Sequence, residues 1–125
     1  MKHAPKTRCS GLWTESKFSS FIKSALRGAS NRWQPKYAAK KAARVGRNQY
    51  QCALCKAVVG NKNSHMDHVH PVVDPVRGFN GWDEYIARLF VEADGYRCLC
   101  TKCHAEVTAS QRLIRKASKT LSFTT

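Results

Sequence analysis

Two cysteine pairs of identical spacing limit the folds open to this chain more than any other feature. Cys52 and Cys55 form the first pair, Cys100 and Cys103 the second, and 44 residues separate the pairs. A CxxC turn places two thiolates on one side of a tight loop, so two such turns complete a tetrahedral site. Thiolates are soft ligands that favour zinc over magnesium. The spacing therefore predicts a structural Zn²⁺ that brings the two ends of residues 56–99 together.

Two further cysteines do not change this assignment. Cys98 offers a third thiol in "CLCTKC", but Cys100 keeps the two-residue spacing to Cys103. We predict that Cys98 is a buried thiol and that Cys9 belongs to the N-terminal tail. Free or disulfide-bonded thiols are the alternative to zinc. A reducing cytosol argues against disulfides, and a chain of 125 residues forms one modest domain whose limited core favours a bound metal.

Positive charge is concentrated in the first half of the chain, which carries a net charge of +14 overall. Residues 1–50 contain twelve Lys or Arg and one acid, for +11, whereas residues 51–125 contain ten Lys or Arg and seven acids, for +3. A strongly basic half predicts binding to a polyanion, most often nucleic acid. A solvated basic surface and binding to anionic lipid are the less favoured alternatives.

Eight basic side chains are predicted to contact nucleic-acid phosphates, five in the basic half and three near or after the second cysteine pair. They are Lys36, Lys40, Lys41, Arg44, Arg47, Arg97, Lys102 and Arg112. Trp33 and Tyr37 stand among them and either stack on a base or sugar or pack against the first helix, the latter being favoured.

No membrane or export segment is expected. The sequence contains no run of about 18 apolar residues, and its basic N-terminus lacks the apolar stretch of a signal peptide. We therefore predict a cytoplasmic protein without a membrane partner.

The first helix is predicted from five apolar residues that recur with the spacing of one helical face. They are Phe18, Phe21, Ile22, Ala25 and Leu26. Thr14 is the expected N-cap, with Trp13 and Phe18 forming a hydrophobic staple. A second helix is expected from Pro35 to a C′ residue at Gly46, as a basic surface more than a core element.

From residue 50 onwards the sequence predicts short strands, loops and two more helices. Residues 57–59 and 69–73 flank a turn at residues 60–64 and are expected to form a hairpin. Residues 82–95 and 108–119 have helical patterns, with a loop at residues 74–81 before them. The predicted fold class is α+β.

The segment "HMDHVHP", residues 65–71, carries the residues best suited to chemistry. Asp67 and His68 point to opposite faces of a regular strand. Asp67 offers a hard oxygen to a divalent cation, and His68 can act as a base near neutral pH, a combination that suits hydrolysis of a phosphodiester. His65 lies on the same strand face as Asp67. It is either an accessory metal or phosphate ligand or, as we favour, a structural residue. A single Asp-His pair elsewhere would be an ordinary surface pair.

Taken together, "CALC", "DHVHP" and "CLCTKCH" resemble the HNH endonucleases, whose core is a ββα-metal finger. The resemblance covers residues 50 to about 110, and the N-terminal half is similar to that of small phage-encoded HNH proteins. It implies a ββα-metal finger held by a four-cysteine zinc, with basic N-terminal helices and a C-terminal helix. The implied parts are a flexible tail at 1–11, a DNA-binding extension at 12–48 and a nuclease domain at 49–125.

The same resemblance implies roles for individual residues. Asp67 matches the first ligand of a catalytic Mg²⁺ or Mn²⁺, His68 the general base, and His104 the metal ligand on the helix. Many members have an Asn where this chain has Gly95, so Asn80, Asp94 or a backbone group would have to replace it.

The activity implied is metal-dependent hydrolysis of double-stranded DNA, by nicking or by cutting both strands. The alternative is a zinc-stabilised DNA-binding protein, or a phage accessory protein with a protein partner, that retains a degenerate HNH site.

Overall fold

The computed structural model describes residues 4–124, with side chains described to residue 119, and divides the chain into units of residues 1–32 and 33–125. The second helix, which the resemblance assigns to a DNA-binding extension at 12–48, contacts strands and turns of the second unit. Residues 1–3 of the predicted tail lie outside the described residues.

The first unit contains helix α1, Glu15–Ser30. Thr14 is its N-cap and its hydroxyl accepts a hydrogen bond from the Lys17 N–H at 3.1 Å, as the sequence predicted. The ring that Trp13 contacts is Phe21, edge-on at 5.3 Å between centroids, while the Arg8 guanidinium covers Phe18. Phe21 and not Phe18 is therefore the aromatic partner of Trp13.

Residues 7–13, which include residues 7–11 of the predicted flexible tail, form an ordered turn before α1. Arg8 and Trp13 exchange backbone hydrogen bonds at 3.0 Å, and Gly11 takes the left-handed conformation that the turn requires. Thr7 and Arg8 both bind the Glu15 carboxylate, and the Thr7 hydroxyl holds the pKa of that carboxyl below its usual range, with help from Arg8.

The second unit begins with helix α2, Gln34–Ala43, which ends earlier than predicted. The next residues form a strand, β1 (Arg44–Gly46), which pairs antiparallel with β2 (Gln49–Gln51). Asn48 makes the turn between them in the left-handed region, which Asn tolerates better than most residues. Helix α2 contacts the last strand of the unit, although none of its residues is fully buried.

The predicted hairpin of residues 57–59 and 69–73 is wrong, because the first segment pairs with another strand and the second forms none. Strand β3 (Val58–Val59) pairs with β2 and extends the first sheet. After a 3₁₀ turn at Asn61–Asn63, strand β4 (Ser64–His68) pairs antiparallel with β5 (Tyr96–Cys100). Residues 69–73 form no strand.

Two helices complete the unit. Helix α3, Trp82–Leu89, buries Tyr85 and Leu89 and ends six residues before the predicted end at residue 95. Helix α4, Thr101–Thr124, follows β5 without a break and begins seven residues earlier than predicted. The strands β4 and β5 and the helix α4 thus form a ββα arrangement, with α3 in the β4–β5 connection.

The core around the cysteines is small. Cys52, Leu99, Cys100 and Cys103 are buried together, and partly buried Val59 and Val107 pack against them. Helices and small antiparallel sheets make the chain α+β, as expected. Within residues 4–124 no helix is both long and apolar enough to cross a membrane.

Candidate functional site

The first cysteine pair lies in the tight turn between β2 and β3. The Cys52 N–H donates to the Ala57 carbonyl at 2.8 Å, and the Lys56 N–H donates to the Cys52 carbonyl at 3.1 Å. Lys56 takes a φ of 67°, which closes the turn. The Ala53 N–H donates to the Cys98 carbonyl at 2.8 Å and so fixes the turn to β5.

The second pair lies where β5 becomes α4. Cys100 is the last residue of β5, and Cys103 lies in the first turn of the helix. The Cys103 N–H donates to the Cys100 sulfur at 3.4 Å, the contact that a capping side chain makes with a helix start. The strand-to-helix junction therefore orients both sulfurs.

The four sulfurs converge on one point. The Sγ atoms of Cys52, Cys55, Cys100 and Cys103 all lie within 4.8 Å of one another. A tetrahedron with Zn–S bonds of about 2.3 Å has edges of about 3.8 Å. The Cys55 and Cys100 sulfurs are 3.7 Å apart. The cluster could thus hold a metal ion such as zinc, and it is the set that the spacing predicted.

Cys98 is outside this set. It is 3% exposed, and burial, followed by repulsion from Cys52, raises the pKa of its thiol. It behaves as the buried thiol that the sequence predicted, while Cys9 is exposed in the first unit.

The pKa values of Cys52 and Cys103 are shifted in opposite directions. Burial opposes ionisation of Cys52, but backbone N–H groups of residues 54, 55 and 100 prevail and lower its pKa to about 6. The hydrogen bond with Cys100 raises the pKa of Cys103 to about 12, with burial acting in the same direction. A bound cation would favour thiolates at all four positions.

His65 and His104 lie together where β4 meets α4. Their rings are stacked, with centroids 4.7 Å apart and planes 12° from parallel. The His65 Nε2 is 3.0 Å from the Thr101 hydroxyl. His65 therefore has a structural contact with the predicted metal ligand His104, in keeping with the role favoured from the sequence.

Asp67 lies opposite Arg97 in the β4–β5 pair. Its Oδ2 accepts a hydrogen bond from the Arg97 Nε at 3.2 Å, with the two side chains 17% and 24% exposed. A metal ion bound to Asp67 would share the carboxylate with Arg97 or displace the arginine from it.

His68, the last residue of β4, is oriented by backbone. Its Nε2 is 2.8 Å from the Leu89 carbonyl at the end of α3. A carbonyl can only accept, so Nε2 carries the proton and a neutral ring has its lone pair on Nδ1. The Tyr96 hydroxyl donates to the same carbonyl at 3.1 Å, and burial raises the pKa of that phenol. The Tyr96 ring also lies against His68, with centroids 4.8 Å apart.

Gly95, where many HNH proteins have Asn, has no room for a side chain. A Cβ at this position would lie 2.6 Å from the Val91 Cγ2 and 2.8 Å from its Cβ. The Gly95 carbonyl accepts from the Val69 N–H at 2.9 Å, directly after His68. Of the replacements considered, the backbone is the one that contacts His68.

Each of the three predicted catalytic side chains has a different partner in the described part of the chain. Asp67 bonds to Arg97, His68 bonds to the Leu89 carbonyl and lies against the Tyr96 ring, and His104 stacks on His65. Among the described residues, the four cysteines are the side chains that lie close enough together to form a metal site of three or more ligands.

Several of the predicted phosphate contacts are engaged within the fold. Arg97 bonds to Asp67, and the Arg44 Nε donates to the Gly46 carbonyl at 3.0 Å. Lys40 binds the Asn61 side chain and lies over the Tyr50 ring. Lys36 is partly buried, and this burial, followed by repulsion from Lys40, lowers its pKa. Trp33 donates to the Val91 carbonyl at 2.7 Å and packs edge-on against Phe90, so it is a packing residue.

Apart from Lys36 and Lys40, the six residues predicted to contact phosphate differ in exposure. Exposed are Lys41, Arg44, Arg47, Lys102 and Arg112; Arg97 is partly buried.

Contacts that the sequence did not reveal include the His65–His104 stack and the Leu89 carbonyl. The first could have been found by starting α4 at Thr101, which places His104 in its first turn beside β4. The second had no signal, because a backbone carbonyl is the same at every residue.

Comparison of the chain with protein families, with curated proteins and with solved structures found no match.

Proposed function

We propose that this chain is a metal-dependent DNA endonuclease of the HNH type, with a zinc ion in its four-cysteine cluster. One observation carries the proposal. The β4–β5–α4 arrangement places Asp67 and His68 at the end of one strand and His104 in the first turn of the helix. The four cysteines anchor the same strand and helix.

In this proposal His68 is the general base. Its Nε2 proton is held by the Leu89 carbonyl, so Nδ1 is left to accept a proton from the attacking water. The fixed ring costs no reorganisation when the proton moves. Tyr96 supports the ring from the opposite strand.

Asp67 and His104 would hold a divalent Mg²⁺ or Mn²⁺, which when bound neutralises charge on the phosphate and the leaving oxygen. A carboxylate oxygen suits either ion, and an imidazole favours Mn²⁺. Arg97 is close enough to Asp67 to contact a phosphate once a cation occupies the carboxylate.

A second candidate is a zinc-stabilised DNA-binding or phage accessory protein with an inactive site. Val91 fills the space that a side chain at Gly95 would need, and Asp67 is already paired with Arg97. This candidate retains the DNA contacts and lacks hydrolysis.

Cleavage of supercoiled plasmid separates the two. Zinc-loaded wild type would be incubated with Mg²⁺, with Mn²⁺ or with neither; omitting the ion, instead of adding a chelator, leaves the cluster intact. We expect ion-dependent conversion to open-circle or linear DNA. His68→Ala should slow it by about 10²–10⁴-fold, the usual contribution of a general base.

His70→Ala is the matched control, because His70 is an exposed histidine two residues along the chain. It should cut like the wild type. Cleavage that survives in His68→Ala would refute the proposed base. A wild type that shifts DNA in a gel but never cuts it would favour the second candidate.

A further inference from the structure

A cleft of about 200 Å³ lies between the loop after β4 and the far part of α4. Residues 75–78 line one side, and Arg115, Ser118 and Lys119 line the other. The volume is more than ten times the roughly 10–15 Å³ that a single water needs, so a phosphate group can enter.

The loop side of the cleft is fixed in place. The Asp74 carboxylate accepts from the backbone N–H groups of Val76 and Arg77 at 2.8 and 2.9 Å, and the Gly78 N–H donates to the Asp74 carbonyl at 2.8 Å. The Arg77 and Val76 N–H bonds lower the pKa of Asp74, which keeps it charged and bonded. The Ser118 hydroxyl donates to the Val76 carbonyl at 2.9 Å and joins this loop to α4.

The helix side of the cleft supplies the positive charge. Arg77 and Arg88 are neutralised by Asp74 and Glu84, with which they form ion pairs. No such carboxylate lies within 4.0 Å of the Arg115 or Lys119 side chains among the residues whose side chains are described. Two positive charges therefore border the opening.

Helix geometry relates this cleft to His104. Eleven residues separate His104 from Arg115, which is about three turns plus 20°, so both lie on nearly the same face of α4. Their separation along the helix is about 16 Å at 1.5 Å per residue. That length equals the rise of about five base pairs along the axis of duplex DNA, at 3.4 Å per step.

We propose that this cleft is a second phosphate site, in which Arg115 and Lys119 hold the DNA backbone a few nucleotides from the phosphate placed near His104. Helix α4 sets the distance between the two positions. The site rests on the DNA partner of the proposed function, but not on cleavage.

Binding without catalysis tests the site. Affinity for a duplex of about 20 base pairs would be measured by fluorescence anisotropy, in the zinc-loaded His68→Ala background and without added Mg²⁺ or Mn²⁺. Losing one phosphate contact weakens DNA affinity about eightfold at 0.1 M salt. It also reduces the slope of log K against log salt by about 0.9. Arg115→Gln with Lys119→Gln should therefore weaken binding about tenfold and reduce the slope by about one.

The matched comparison is Lys119→Gln against Lys116→Gln. Both lysines are exposed on α4 three residues apart, and Lys119 alone of the two lines the cleft. Lys119→Gln should weaken binding several-fold and Lys116→Gln by less than about twofold. Equal losses would show only a diffuse charge effect and overturn the site, as would no loss in the double variant. The assay gives its answer whether or not the wild type cuts DNA.

Discussion

At the scale of the residue, backbone carbonyl groups orient His68, although the resemblance suggested that an Asn side chain would do so. The Leu89 carbonyl fixes Nε2, and the Gly95 carbonyl holds the N–H of the following residue, Val69. A side chain at position 95 would collide with Val91. Gly95 is thus required by packing, and backbone groups support the segment around His68 without a side chain at position 95.

Gly95→Ala should destabilise the second unit by about 1–3 kcal/mol, the usual cost of overpacking. The reason is the 2.6 Å approach of the new Cβ to Val91. Adding Val91→Ala should recover part of that loss, because it removes the Val91 Cγ2, the atom nearest to the new Cβ, while the Val91 Cβ at 2.8 Å remains. Denaturant unfolding of the two single variants and the double variant measures the coupling.

Gly28→Ala serves as the control, since no heavy atom lies within 4 Å of a Cβ there and Gly28 is inside α1. It should be neutral or stabilising by up to about 1 kcal/mol. A Gly95→Ala protein as stable as wild type, or no coupling with Val91→Ala, would show that crowding is not the reason for the glycine.

At the scale of the element, local features were predictable and pairings were not. The α1 cap at Thr14 and the buried face of α3 follow from contacts within a few residues, and the sequence predicted both. The β4–β5 pair joins residues about 30 positions apart, and turn residues at 60–64 wrongly suggested a local hairpin instead. The cysteine cluster is non-local too, but the chemistry of thiolates predicted it.

Loss of one zinc ligand should unfold the second unit, because a structural zinc contributes on the order of 10 kcal/mol to a small domain. Cys55→Ser is the sharpest test. Cys55 is exposed, so the change removes a ligand with little loss of packing, whereas Cys52 is fully buried. We expect one zinc per wild-type chain by elemental analysis, and loss of both the zinc and cooperative unfolding in Cys55→Ser.

Cys9→Ser is the control for thiol chemistry and should keep the metal and the stability of wild type. Cys98→Ala should also keep one zinc, although it removes a buried group and can lower stability on that account. A Cys55→Ser protein that folds cooperatively without metal would contradict a structural role for the cluster.

At the scale of the whole molecule, most of the positive charge and the candidate catalytic residues lie in different parts of the sequence. The candidate site lies within residues 52–104, yet residues 1–50 carry +11 of the total +14. Charge of one sign attracts DNA over a distance of about one Debye length, roughly 10 Å at 0.1 M salt, without selecting a sequence. The basic half is therefore expected to set affinity and salt dependence, and the site to act on the DNA so held.

Salt dependence can locate this attraction along the chain. Lys41→Gln with Arg47→Gln removes two exposed charges from the basic half, whereas Lys62→Gln with Lys116→Gln removes two exposed charges from the second half. Each lost phosphate contact lowers the slope of log K against log salt by about 0.9. The first pair should therefore reduce the slope by up to about 1.8, and the second pair should leave it nearly unchanged. Titrations of duplex DNA between about 50 and 200 mM salt would measure both slopes. Equal changes would mean that binding depends on total charge alone, and that the uneven distribution along the sequence has no part in holding DNA.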